Sequence, residues 1–244
     1  MTRAPRDRPT SVATFVLIHG AGSDGWYWHR VTPLLEARGH AVLAPDLGSG
    51  DDARGLAEYA DVVVGAIDAA GRPDDVVLVA QSMGAFTAPL VCERVPVRLM
   101  VLVAAMVPRP GESPGEWWEA TGHAAARRAL AEREGWMPEQ ADDPEIVFLH
   151  DVPPEVAAAG ADHVGPQSGT PFAAPWPLAA WPAVPTRFLL CRDDRFFPAE
   201  FQRRVVRERL GLVPDEMDGG HLPALAHPRE LADRLEAYRA EAGI

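Results

Sequence analysis

A chain of 244 residues, 47% of them hydrophobic, suits one domain with a sizeable core, or such a domain carrying an insertion. Its formal net charge is -12, from 23 basic against 35 acidic residues, and no basic stripe is visible, which argues against nucleic acid and anionic membrane surfaces as partners. Every basic residue is Arg, so a lysine base or Schiff base is excluded.

The first ten residues hold Arg3, Arg6 and Arg8 and precede an apolar run from Val12 to Ile18. That resembles a secretory leader, but the run is short and leads straight into His19-Gly20-Ala21-Gly22. Residues 1–10 are therefore expected to be a flexible tail. No apolar run is long enough to span a membrane, and a cytoplasmic protein is the default expectation. Cys92 falls in a helical stretch and Cys191 at a strand end, so both are expected as buried, reduced thiols.

Thr14–Ile18 reads as the first strand, ending at the small-residue loop His19-Gly20-Ala21-Gly22. Trp26-Tyr27-Trp28 with Val31, Leu34 and Leu35 predicts one helix that stops at Gly39. Ala41–Ala44 is a second strand, closed by Pro45-Asp46-Leu47-Gly48. Leu56, Tyr59, Val63 and Ile67 mark one face of a helix that Gly71-Arg72-Pro73 ends. Val76–Ala80 is a strand without polar alternation, the pattern of one buried on both faces of a parallel sheet. Met83–Arg94 follows as a helix and Leu99–Ala104 as a fourth strand. This rhythm implies right-handed βαβ crossovers.

The rhythm breaks at Val107 and resumes at Thr186–Leu190. The stretch 107–183 is rich in Pro and carries Trp117, Trp118, Trp136 and Trp176, which are expected to contribute to an apolar pocket. An insertion of this length within an α/β domain is expected to be a helical lid. Pro198 opens a helix with Phe201, Val205, Val206 and Leu210 inward, a short strand is expected near Leu212-Val213, and Pro228 starts a last helix. The fold class is thus α/β, a mostly parallel open sheet with helices on both faces. Its core is 11–106 and 184–244, with the lid inserted between.

The chemistry centres on Ala80-Gln81-Ser82-Met83-Gly84, a sharp strand-to-helix turn of the G-x-S-x-G type with Ala80 for the first glycine. Such a turn lifts a serine hydroxyl above the sheet. A hydroxyl is a poor nucleophile at neutral pH and needs a base, which in turn needs an acceptor to orient it. Ligands bind at the carboxyl ends of parallel strands. Asp193-Asp194 and His221 are expected at those ends, in the chain order Ser, Asp, His. Asp194 is preferred as the acid and Asp193 as a turn residue, although either could merely cap the helix after Pro198. His227, before Pro228, reads as a helix start. An oxyanion hole would use the backbone N–H of Met83 and, from the loop after the first strand, of Ala21. No metal-ligand spacing and no phosphate-loop spacing is present, so no metal or cofactor is expected.

His19-Gly20-Ala21-Gly22 with Trp26-Tyr27-Trp28, Pro33-Leu34-Leu35, Gly39-His40-Ala41-Val42, Ala44-Pro45-Asp46-Leu47, Gln81-Ser82-Met83-Gly84 and Cys191-Arg192-Asp193-Asp194 together resemble the α/β-hydrolase superfamily. They are most similar to its branch of plant methylesterases, including the salicylate-binding esterase, and hydroxynitrile lyases. The resemblance implies Ser82 as nucleophile, His221 as base, Asp194 as acid, Ala21 and Met83 as oxyanion donors, and a cofactor-free enzyme. Lyases of this branch carry Thr after the first-strand His and Lys after the catalytic His; here Gly20 and Leu222 stand there, so the cation for a leaving cyanide is missing. The expected activity is a carboxylesterase cleaving a small apolar ester. A lyase, an acyltransferase and a non-catalytic ligand receptor are the alternatives, and a homodimer is left open.

Overall fold

The computed structural model describes residues 12–244. The tail expected over residues 1–10 lies outside the described residues. Six strands form one sheet in the order β2-β1-β3-β4-β5-β6. They are β1 (Thr14–Ile18), β2 (Ala41–Leu43), β3 (Val76–Gln81), β4 (Leu99–Val103), β5 (Thr186–Cys191) and β6 (Asp215–Met217). All neighbouring pairs run parallel. The order reverses between β2 and β3, because β1 lies between them, and sites form at such a switch point.

Alternation along the strands divides the core into two layers. Val16, Ile18, Leu78, Ala80, Met100, Leu102, Phe188 and Leu190 face α2 (Leu56–Ala69), α3 (Gly84–Cys92) and α9 (Ala199–Leu210). Phe15, Leu17, Val77, Val79, Val101, Val103 and Leu189 face α1 (Thr32–Glu36), α10 (Pro223–Ala226) and α11 (Pro228–Glu241). The apolar strands lack polar alternation because both faces are covered.

Two expectations need correction. The helix expected from Trp26 to Gly39 is two pieces: a 3-10 turn, Gly25–Trp28, and α1. Pro33 has no N–H to offer a carbonyl four residues earlier, so it is best accommodated in a first turn, where α1 places it. Asp24 caps the 3-10 turn by accepting from the Trp26 N–H at 2.8 Å. The last strand is not at Leu212-Val213 but at β6. Gly211 closes α9 in the left-handed conformation, and Pro214 delays the ladder. β6 is an edge strand, and its Glu216 takes two hydrogen bonds from Arg203, so its polarity hides it from a hydrophobic search.

Between β4 and β5 lie α4 (Pro114–Thr121), α5 (His123–Glu134), α6 (Pro144–Val147), α7 (Pro154–Gly160) and α8 (Thr170–Ala173). Trp117 and Trp176 are 0% and 1% exposed and belong to the layer over α2, α3 and α9. Their indole N–H groups donate to Val107 O and Phe86 O, each at 3.0 Å, and Trp181 donates to Pro108 O at 3.0 Å. These indoles anchor the segment to the sheet layers, the burial that large aromatic side chains seek. Among the described residues no helix is long and apolar enough to cross a membrane.

Candidate active site

Ser82 follows β3 with φ of 51°, a left-handed conformation rarely taken by a residue with a Cβ. The strain is held by the Ser82 N–H donating to Val103 O at 3.2 Å and by Met106 N–H donating to Ser82 O at 3.0 Å. A Cβ on Gly84 would lie 2.8 Å from His19 O, which is why the second residue after the serine carries none. Ala80, where the motif has glycine, is wholly buried against the neighbouring layer, so a single methyl fits.

His221 Nε2 lies 3.1 Å from Ser82 Oγ. His221 Nδ1 lies 2.9 Å from Asp194 Oδ2. The ring hydrogen belongs on Nδ1, because the Asp194 carboxylate can only accept: Phe196 N–H and Phe197 N–H donate to Oδ1 at 2.8 and 2.7 Å, Gln202 Nε2 donates to Oδ2 at 3.3 Å, and the ring supplies the fourth donor. Nε2 is then left as the acceptor facing the serine hydroxyl. Asp194, His221 and Ser82 are 2%, 3% and 7% exposed, so this chain of polar groups lies in a water-poor setting where hydrogen bonds are strengthened.

Asp193 is a turn residue: its carboxylate accepts from Gly219 N–H at 3.1 Å while its own N–H donates to Gly219 O at 3.0 Å. His227 precedes α11, as its place before Pro228 suggested. Gln81 is a motif residue whose further role the sequence does not show: its Nε2 donates to the His221 carbonyl at 3.0 Å, tying the turn of His221 to the strand that carries Ser82.

His19 shows what orients the Ala21 peptide. Its Nε2 accepts from Leu47 N–H at 3.1 Å, so Nδ1 carries the hydrogen and donates to Gly20 O at 2.8 Å. Burial pushes the His19 pKa down, which keeps the ring neutral in this role. The carbonyl of Gly20 and the N–H of Ala21 belong to one planar peptide and point opposite ways. Holding that carbonyl therefore aims the Ala21 N–H away from His19. Among the described residues neither the Ala21 N–H nor the Met83 N–H has a recorded acceptor. A narrow cavity of about 10 Å³ is lined by His19, Gly20, Leu47, Tyr59, Met83 and Gln167, so it reaches the Met83 side of the elbow. A Cβ on Gly20 would strike Gln81 Oε1 and close the approach.

Aromatic rings wall the other side. Phe148, Phe196 and Phe197 lie with ring centroids 5.6, 5.0 and 4.9 Å from that of His221. Phe148 comes from the segment between β4 and β5, and the other two follow Asp194. Periodicity does not disclose these neighbours, because Phe148 lies outside any regular apolar pattern.

The sequence profile of the Alpha/beta hydrolase family matches residues 15–234. The chain is 26% identical over 247 residues to Methylesterase 1 of Arabidopsis thaliana, a match covering 90% of this chain and 93% of that protein. In three dimensions it is similar to a pyrethroid hydrolase from Sphingobium faniae JZ-2, at 25% identity and a TM-score of 0.73, covering 94% of this chain and 98% of the other. It also shares its fold with polyneuridine aldehyde esterase, at 22% identity and a TM-score of 0.74, covering 93% and 99% of the two chains.

Proposed function

Because the chain belongs to the alpha/beta hydrolase family, we propose that it is a serine esterase in which Ser82 is the nucleophile, His221 the general base and Asp194 the acid that orients it. The observation that carries this reading is the relay of 3.1 Å and 2.9 Å from Ser82 Oγ through His221 to Asp194. Ser82 Oγ attacks the ester carbonyl carbon as Nε2 of His221 takes its proton. The carbonyl oxygen becomes an oxyanion between the N–H groups of Ala21 and Met83. Collapse breaks the bond to the alcohol, which leaves with the proton from His221. Water then attacks the acyl-serine, its proton again passing to His221, and the acid departs as Ser82 recovers its hydrogen.

The aromatic rings of Phe148 and Phe196 beside His221 favour an apolar alcohol or acyl portion. The name of the Arabidopsis relative makes methyl esters of apolar acids the first substrates to assay. In this reading residues 107–183 are the lid over the site, and Phe148 is their contribution to its wall. A fluorophosphonate probe tests nucleophile, base and oxyanion donors together. Covalent labelling of Ser82, lost in the Ser82→Ala variant, is the expected outcome. Labelling elsewhere, or ester hydrolysis undiminished by Ser82→Ala, removes Ser82 from the reaction.

A further inference from the structure

Two side chains of the segment between β4 and β5 reach past the aromatic wall to backbone amides. Asp151 Oδ2 accepts from Gly220 N–H at 2.6 Å, on the residue that precedes His221. Gln167 Oε1 accepts from Gly22 N–H at 3.0 Å, on the residue that follows Ala21. One contact holds the turn of the base and the other holds the loop of an oxyanion donor.

Each contact is built in. At the first, a Cβ on Gly220 would lie 2.8 Å from Asp151 Oδ1 and 2.8 Å from His150 Nε2, so the glycine leaves room for the segment to dock. His227 Nε2 stands 3.4 Å from Asp151 Oδ2 on the far side. At the second, Gly22 is gripped from both directions, because Gly165 N–H donates to Gly22 O at 3.1 Å. Gly22 has φ of 64°, so its peptide orientation needs such support. Gln167 is itself fixed: its Nε2 donates to Tyr59 Oη at 3.2 Å and to Ser49 O at 3.3 Å.

The two contacts are joined by a short stretch anchored at several points. Val152 and Val156 are buried in the layer over α1 and α11. Gly160, at the end of α7, packs against the Trp26 ring. His163 stacks on Trp26 with centroids 4.5 Å apart and meets Asp24 Oδ2 at 2.8 Å through Nδ1. These anchors tie the stretch to the protein between its two end contacts.

We propose that Asp151 and Gln167 are positioning residues at the two ends of one clamp, 151–167, whose docking holds the His221 turn and the Ala21 loop in register with Ser82. This rests on the serine-esterase reading. A displaced oxyanion donor is felt in the transition state and little in the bound ester, so the clamp acts on kcat.

The test uses the whole chain with a p-nitrophenyl ester and, separately, amide hydrogen exchange. Gln167→Met and Asp151→Ala each lower kcat by about tenfold or more with KM changed by less than about threefold, part of the roughly hundredfold that a lost oxyanion donor costs. Asp151→Asn keeps an acceptor for Gly220 and recovers most of the rate. The double variant costs less than the product of the two singles, because both release one body. In the unmodified protein the amides of Gly22 and Gly220 are both protected, and Asp151→Ala speeds exchange at Gly22 as well as at Gly220. The clamp is overturned by kcat values within about twofold of the parent, by effects confined to KM, or by free exchange at either amide in the unmodified chain. Exchange in that chain also decides if a variant fails to fold. Absence of Ser82 labelling overturns the esterase reading by itself and leaves the exchange result standing.

Discussion

Strands β1, β3 and β4 are buried at every position, whereas the helices between β4 and β5 bury between one and three residues each. The sheet holds its side chains by continuous apolar packing on two faces. The segment is held by a few deep anchors, Trp117 and Trp176, and by polar contacts at its edges. The difference teaches where catalytic and structural effects should separate. Substitutions at the rim of the sheet should cost rate without stability, and substitutions at the segment's anchors should cost stability first.

The largest effect expected is that of Ser82→Ala. It removes the proposed nucleophile and relieves no packing, so kcat/KM is expected to fall on the order of 10⁴ to 10⁶-fold with the melting temperature unchanged or raised. A large drop in melting temperature would break the separation. Asp194→Asn follows, at roughly 10³ to 10⁴-fold in kcat, because an amide no longer selects the ring hydrogen on Nδ1 of His221. Steady-state kinetics at pH 8 measure it.

On the segment side, Trp117→Ala empties a wholly buried site, while Val107 O keeps its hydrogen bond from Arg209 at 2.7 Å, so the cavity costs about 3–5 kcal/mol of unfolding free energy. Urea titration followed by fluorescence checks the value. A loss under about 1 kcal/mol would show that the segment is not integral to the folded core.

A somewhat smaller effect depends on pH. His123, at the start of α5, lies among Trp117, Trp118, Phe196 and Phe197 and gives its Nε2 hydrogen to Phe196 O at 2.8 Å. Burial lowers its pKa from 6.5 to about 4. The unfolded chain therefore binds this proton more readily than the folded one. The stabilisation is complete above pH 6.5 and is lost as the pH falls towards 4, by about 3 kcal/mol for this group. In His123→Phe the difference in unfolding free energy between pH 7 and pH 4.5 should shrink by a comparable amount. The smallest effect is on the exposed face of the sheet domain. Arg94→Ala breaks a surface pair with Asp61 of 2.6 Å and should change stability by no more than about 0.5 kcal/mol.

Legibility followed the range of the interaction. The elbow was readable because its pattern is local: β-favouring residues, a serine and a glycine, although the clash that demands the glycine is with Ile18 and His19 at the end of β1. Asp194 and His221 were readable from position, because parallel strands present their carboxyl ends on one rim. The donors that saturate Asp194 were half hidden. Phe196 and Phe197 N–H follow from the turn itself, whereas Gln202 Nε2 comes from the next helix. The role of His19 was missed, since a histidine that bonds the carbonyl of its own neighbour leaves no periodic trace. The tryptophans suggested both a surface to bury against and an apolar pocket, and Trp117 and Trp176 take the first role. An indole signals a need for burial, and composition does not say which surface satisfies it.

Read alone, the sequence determined a parallel αβ sheet, the residue types for an activated serine, and the rim on which they stand, because strand burial, tight turns and chain order are properties of short stretches. Tertiary structure decided which side chains of the stretch 107–183 reach the loops of Ala21 and His221, and which amides those side chains hold. Such contacts join residues 69 and 145 positions apart, where no helical or strand period connects the partners, and only the folded chain brings them within hydrogen-bonding distance.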